Sequence, residues 1–98
     1  MGESVKTILI DWSVIQNREG FYASVLPQTN APSWHGHNLD AINDSWVTGG
    51  VCSVGPPFNF VFCRFEDLSA GLKEFAETIC EIAEDSVKEN GGKVSYEG

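Results

Sequence analysis

The chain has 98 residues, enough for one domain with a radius of gyration of roughly 13 Å and no room for a second core. Fourteen acids against six bases give a formal charge of -8, which repels phosphate backbones and anionic lipid, so neither direct nucleic-acid binding nor a membrane-surface role is expected. Apolar residues at 42% and charged residues at 20% are near the averages for folded soluble chains and argue against a disordered or fibrous protein.

The first apolar run, Ile8-Leu9-Ile10, is far shorter than a signal-peptide core or a membrane span. Export is therefore not expected, and a cytoplasmic location is. Cys52, Cys63 and Cys80 are an odd set without C-x-x-C spacing, which favours reduced thiols over a disulfide framework or a zinc ribbon.

Val5 to Ile10 predicts a first strand buried on both faces, because its loose alternation runs into consecutive apolar residues. Asn17 predicts a helix cap, with Glu19 in the first turn and Phe21, Tyr22, Val25 and Leu26 at helical spacing before Pro27 stops the segment. After a loop over 27–33, Asn38 predicts the cap of a second helix from Leu39 to about Val47, closed by Thr48-Gly49-Gly50.

Phe58 to Phe65 predicts a second strand, with Phe58, Phe60 and Phe62 alternating against Asn59, Val61 and Cys63. From Asp67 to about Asn90 the apolar period is helical, with Gly71 marking a break or kink, and Gly91-Gly92 ends the segment. Lys93 to Tyr96 is then a short last strand. Strands separated by helices of this length imply parallel crossovers, hence an α/β layered domain with a three-stranded parallel sheet over residues 1–98.

The informative stretch runs from Pro32-Ser33-Trp34-His35-Gly36-His37-Asn38 into Leu39-Asp40-Ala41-Ile42-Asn43-Asp44. Asp40 and Asp44 stand at i and i+4, so their carboxylates share one side of a helix and repel each other by a few tenths of a kcal/mol. A plain structural account is open: Asp40 favours the helix dipole, and Asp44 meets Lys6, Arg18 or Arg64 in the fold. The functional account is a docking face for a cation, with Trp34 beside the carboxylates as an aromatic anchor.

These residues resemble the barstar family of intracellular ribonuclease inhibitors, whose signature is an aromatic-rich loop followed by Gly-x-Asn-Leu-Asp-Ala and a second aspartate four positions on. Here it reads Gly36-His37-Asn38-Leu39-Asp40-Ala41, then Asp44. The likeness extends to the opening strand ending at Ile10-Asp11, to Pro32 before the loop, to the strand near residue 60 and to the last helix and strand.

The resemblance implies an inhibitor that forms a 1:1 complex, laying this loop and helix across the cationic active site of a nuclease, with its carboxylates where RNA phosphates would sit. Asp40 and Asp44 match the two helix aspartates of the family, and Trp34 matches a loop aromatic. The partner-facing set is then Trp34, His35, Gly36, His37, Asn38, Asp40, Asn43 and Asp44. A glutamate on the family's last long helix also reaches the enzyme, and Glu84 and Asp85 are both candidates for that position.

The chain departs from the family pattern at Asn43, where tryptophan is frequent, and at Trp34-His35, where an aromatic pair is usual. A diverged partner surface is expected, which tilts the expectation toward the immunity partner of a delivered toxin over an inhibitor of the cell's own secreted ribonuclease. Eight acids and two bases lie between Glu66 and Glu89, and Glu74, Glu77, Glu81 and Glu84 form a stripe. Such a stripe is either a solvated face or a field that steers a basic partner.

Three other accounts compete. His35, His37 and Asp40 could form a small metal-dependent hydrolase site, but no third nitrogen or sulfur ligand is specified. Ser33 or Ser45 with a histidine lacks a Gly-x-Ser-x-Gly elbow and a glycine-rich phosphate loop. A generic acidic adaptor would share the charge without needing Trp34 and two aspartates on one patch. A non-catalytic inhibitor without cofactor or metal is the expectation.

Overall fold

The computed structural model describes residues 5–31, 35–49, 55, 57–68 and 71–97. In chain order they form β1 (Lys6–Asp11), α1 (Arg18–Val25), a 3-10 turn over Leu26–Thr29, α2 (Leu39–Asn43) and a π-turn over Asp44–Thr48. Then come β2 (Phe58–Cys63), a second 3-10 turn over Phe65–Asp67, α3 (Lys73–Asn90) and β3 (Gly92–Glu97).

Alternation along β2 buries Phe58, Phe60 and Phe62 completely and leaves Asn59, Val61 and Cys63 half-buried on the opposite face. This strand is central and pairs parallel with β1 and β3, so the expected α/β order with a three-stranded parallel sheet is present. The register sets Ile8 beside Phe60 and Phe60 beside Val94, forming an apolar row that faces the helices. Phe21, Tyr22 and Val25 of α1 and Phe75, Ala76, Ile79 and Ala83 of α3 close the same core.

β1 is not buried on both faces as expected. Ile8 and Ile10 are buried, but Leu9 is 48% exposed, because the core-forming faces of α1 and α3 meet only one side of the sheet. The free edge of β1 is instead covered by an amide. Gln28 Oε1 accepts from the Leu9 N–H, and its Nε2 donates to the Leu9 carbonyl, both at 2.8 Å. That imitates one strand pairing and blunts an edge that would otherwise recruit another chain.

Other boundaries also shift for local reasons. Pro27 does not end helical winding but tightens it into the first 3-10 turn, which Asn30 closes in the left-handed region at φ 53°. β2 stops at Cys63 rather than Phe65, since Arg64 turns the chain at φ 56°. α3 begins at Lys73 rather than Asp67, and Gly71 at φ 88° separates it from the preceding turn. The second helix is α-helical only to Asn43 and then widens, with the Gly49 amide reaching back five residues to the Asp44 carbonyl at 2.7 Å.

Candidate functional site

Asn38 adopts an extended backbone and its Oδ1 accepts the Ala41 N–H at 2.8 Å, which satisfies one of the orphan donors at the start of α2. Gly36 lies tight behind this cap: a Cβ there would stand 2.7 Å from Asn38 Nδ2 and displace the capping amide. Ile42 is fully buried and anchors one side of the helix, while Asp40, Asn43 and Asp44 are exposed.

Among the described residues neither Asp40 nor Asp44 forms an ion pair or a side-chain hydrogen bond with Lys6, Arg18, Arg64 or any other group. Asp40 borders a groove of about 310 Å³ whose lining includes Arg18, Glu19, Tyr22 and His37, so α1 forms the far wall of the patch. Two like charges exposed without a counter-charge make a surface that favours a cation.

His35, named in the expected partner-facing set, is buried. It is 4% exposed, behind the surface rather than on it. Its Nδ1 lies 2.8 Å from the Gly36 carbonyl, which can only accept, so Nδ1 carries a proton. Its Nε2 lies 2.6 Å from Ser45 Oγ. In the neutral ring Nε2 is the acceptor and the Ser45 hydroxyl donates. His37, in contrast, is exposed; its Nδ1 is 2.9 Å from Glu19 Oε1 and its ring stacks on Tyr22 with centroids 5.3 Å apart. The two imidazoles are thus held by different elements. Among the described residues no group of three or more His, Cys, Asp or Glu side chains could hold a metal ion.

Trp34 lies outside the described residues, as do Pro32, Ser33 and Cys52. Of the two acids expected from the long helix, Glu84 stands beside the Tyr96 hydroxyl and Cys80, on the β3 side of α3. Asp85 is exposed and immediately precedes Ser86, whose side chain faces the π-turn.

Two residues that sequence reasoning passed over support the site from behind. Ser86 Oγ donates to the Trp46 carbonyl at 2.6 Å, and Asn90 Nδ2 donates to the Val47 carbonyl at 2.8 Å. The signal available was modest: Ser86 is a polar residue on the apolar stripe of Ile79, Ile82 and Ala83, with Asn90 one turn further. Trp46 itself is buried and tilted against Phe60 at 4.8 Å, which seats the π-turn on the central strand.

Among the described residues no helix is long and apolar enough to cross a membrane. The family model described as Barstar (barnase inhibitor) matches residues 5–96. No curated protein matches the chain.

Proposed function

The chain belongs to the barstar family, and from that premise we propose that it inhibits a ribonuclease of the barnase type by presenting Asp40 and Asp44 to the enzyme's cationic active site. The observation that carries this is the exposure of both carboxylates on one helix with no ion pair to either among the described residues. A patch left unsatisfied in the free protein gains most from a partner that supplies the missing cations, and it selects for that partner by repelling acidic surfaces.

The inhibitor blocks access and takes no part in chemistry. We take Gly36, His37, Asn38 and Asn43 as the partner contacts that accompany the aspartates, and Trp34 as the aromatic anchor that the family resemblance implies. Of the two acids named on α3, Asp85 adjoins Ser86, whose side chain faces the π-turn. We take the complex as 1:1 and place it in the cytoplasm, where Cys63 and Cys80 stay reduced. Exposed Asn43, a departure from the frequent tryptophan, favours the immunity partner of a delivered toxin.

The test is titration of barnase, and of any nuclease encoded beside this chain, against RNA cleavage. Stoichiometric inhibition is expected. A neighbouring toxin domain inhibited far more tightly than a secreted host ribonuclease supports the immunity role, whereas the reverse order assigns the autologous role. Unimpaired cleavage at micromolar excess would overturn the proposal.

A further inference from the structure

The described part of the chain contains one π-turn, and Asp44 is its first residue. Wide turns of this kind are rare and occur preferentially at functional sites. Asp44 is exposed, yet each of the next three residues is held from behind. Ser45 Oγ is bonded to buried His35 at 2.6 Å, the Trp46 carbonyl to Ser86 at 2.6 Å, and the Val47 carbonyl to Asn90 at 2.8 Å.

We propose that Ser86 and Asn90 of α3 are positioning residues that set the direction of Asp44 toward the partner, with the His35–Ser45 bond as the third support. The inference rests on the inhibitory reading of the aspartate patch. Ser86 and Asn90 stand four residues apart on one rigid helix, so they act as two fixed points against which the turn is aligned. The Asp44 carbonyl is taken by the Gly49 amide, which closes the turn around those points.

A short α-helix of five residues that ends in a wide turn has little intrinsic rigidity. Without the supports, the Asp44 backbone would sample several directions, and binding would have to select one of them. With them, the ordering cost falls in folding rather than in association, which is how preorganisation raises affinity. Neither Ser86 nor Asn90 needs to touch the partner for this; Ser86 is fully buried.

The experiment is a double-mutant cycle with catalytically inactive barnase as the probe, using the full chain and its Asp44→Ala, Ser86→Ala, Asn90→Ala and combined variants. Each support variant is expected to weaken binding by roughly tenfold when Asp44 is present, and by less than about twofold in the Asp44→Ala background. A loss of the same factor in both backgrounds overturns the positioning role while leaving the inhibitory reading intact. No loss from Asp44→Ala overturns the inhibitory reading itself and this inference with it, as does a native chain that binds neither barnase nor an inactivated nuclease encoded beside it.

A second measurement needs no partner. Exchange of the Gly49 amide, the donor to Asp44, should accelerate several-fold in Asn90→Ala while amides of β2 keep their protection. Unchanged protection at Gly49 would show that α3 does not hold the turn.

Discussion

His35 Nε2 and Ser45 Oγ lie 2.6 Å apart in the interior, joining the loop before α2 to the turn after it. Both groups are polar and buried, and the contact satisfies the ring nitrogen that Gly36 does not. Ser45→Ala removes the hydroxyl and leaves that nitrogen unpaired, at a cost of about 1–3 kcal/mol. Urea unfolding should show a lower midpoint with an unchanged slope. An unaltered midpoint would mean the bond does not hold the loop.

The two aspartates should differ when truncated singly. Asp40 occupies the first turn of α2, where its charge favours the helix dipole, so Asp40→Ala is expected to lower stability by about 0.3–1 kcal/mol. Asp44 stands at the other end, and Asp44→Ala should leave stability within about 0.5 kcal/mol. In binding to barnase, Asp44→Ala should cost at least about 2 kcal/mol, as for a charged hot spot. Thermal melts and calorimetric titration separate the two effects; parallel losses of stability and affinity in Asp44→Ala would argue against an interface role.

How far the sequence discloses this arrangement depends on the range of the interactions involved. Asn17 and Asn38 are legible as caps because the amides they accept, Gly20 and Ala41, lie three residues ahead. The phenylalanine alternation of β2 is legible because a pleat has period two. The burial of His35, the widening after Asn43 and the supports from α3 are not, since they depend on contacts between residues 10, 40 and 43 positions apart. Leu9 misleads for a related reason: an apolar run reports hydrophobicity but not which face a helix will cover.

Gly92 opens β3 against the start of β2. Its φ of 94° is unfavourable to side chains, and a Cβ placed there would run into the Phe58 carbonyl. The backbones must meet at this point because the register pairs Gly92 with Phe58. Gly92→Ala combines left-handed strain with a steric conflict against main chain, so a loss of about 3 kcal/mol or more is expected. Chemical denaturation of the variant is the check, with near-native stability as the contrary result.

Alkaline stability should report on the α3–β3 contact. Burial pushes the Cys80 thiol up from 9.0 to about 11, with the Tyr96 hydroxyl opposing and nearby Glu84, Glu77 and Glu81 adding to the rise. Burial likewise raises Tyr96 from 10.0 to about 12, with Cys80 and Glu84 contributing. Both groups hold their protons more tightly when folded. Their contribution is complete below about pH 9 and is lost as pH rises through about 11 and then about 12. Cys80→Ala should flatten the first part of that decline in a series of denaturation curves; an identical profile would remove Cys80 as its source.

The exposed stripe of Glu74, Glu77, Glu81 and Glu84 on α3 gives the protein a concentrated negative field. Charges at the rim of an interface act mainly on encounter, because their influence on a bound complex is screened by water and salt. The Glu77→Gln, Glu81→Gln double variant should therefore associate more slowly with barnase at low ionic strength and show a shallower dependence of on-rate on salt. Its dissociation rate should stay within about twofold of the native chain's. Stopped-flow association across a salt series distinguishes the two roles of the stripe. A slower on-rate confined to low salt identifies steering, whereas identical rates throughout identify a face that serves only solvation.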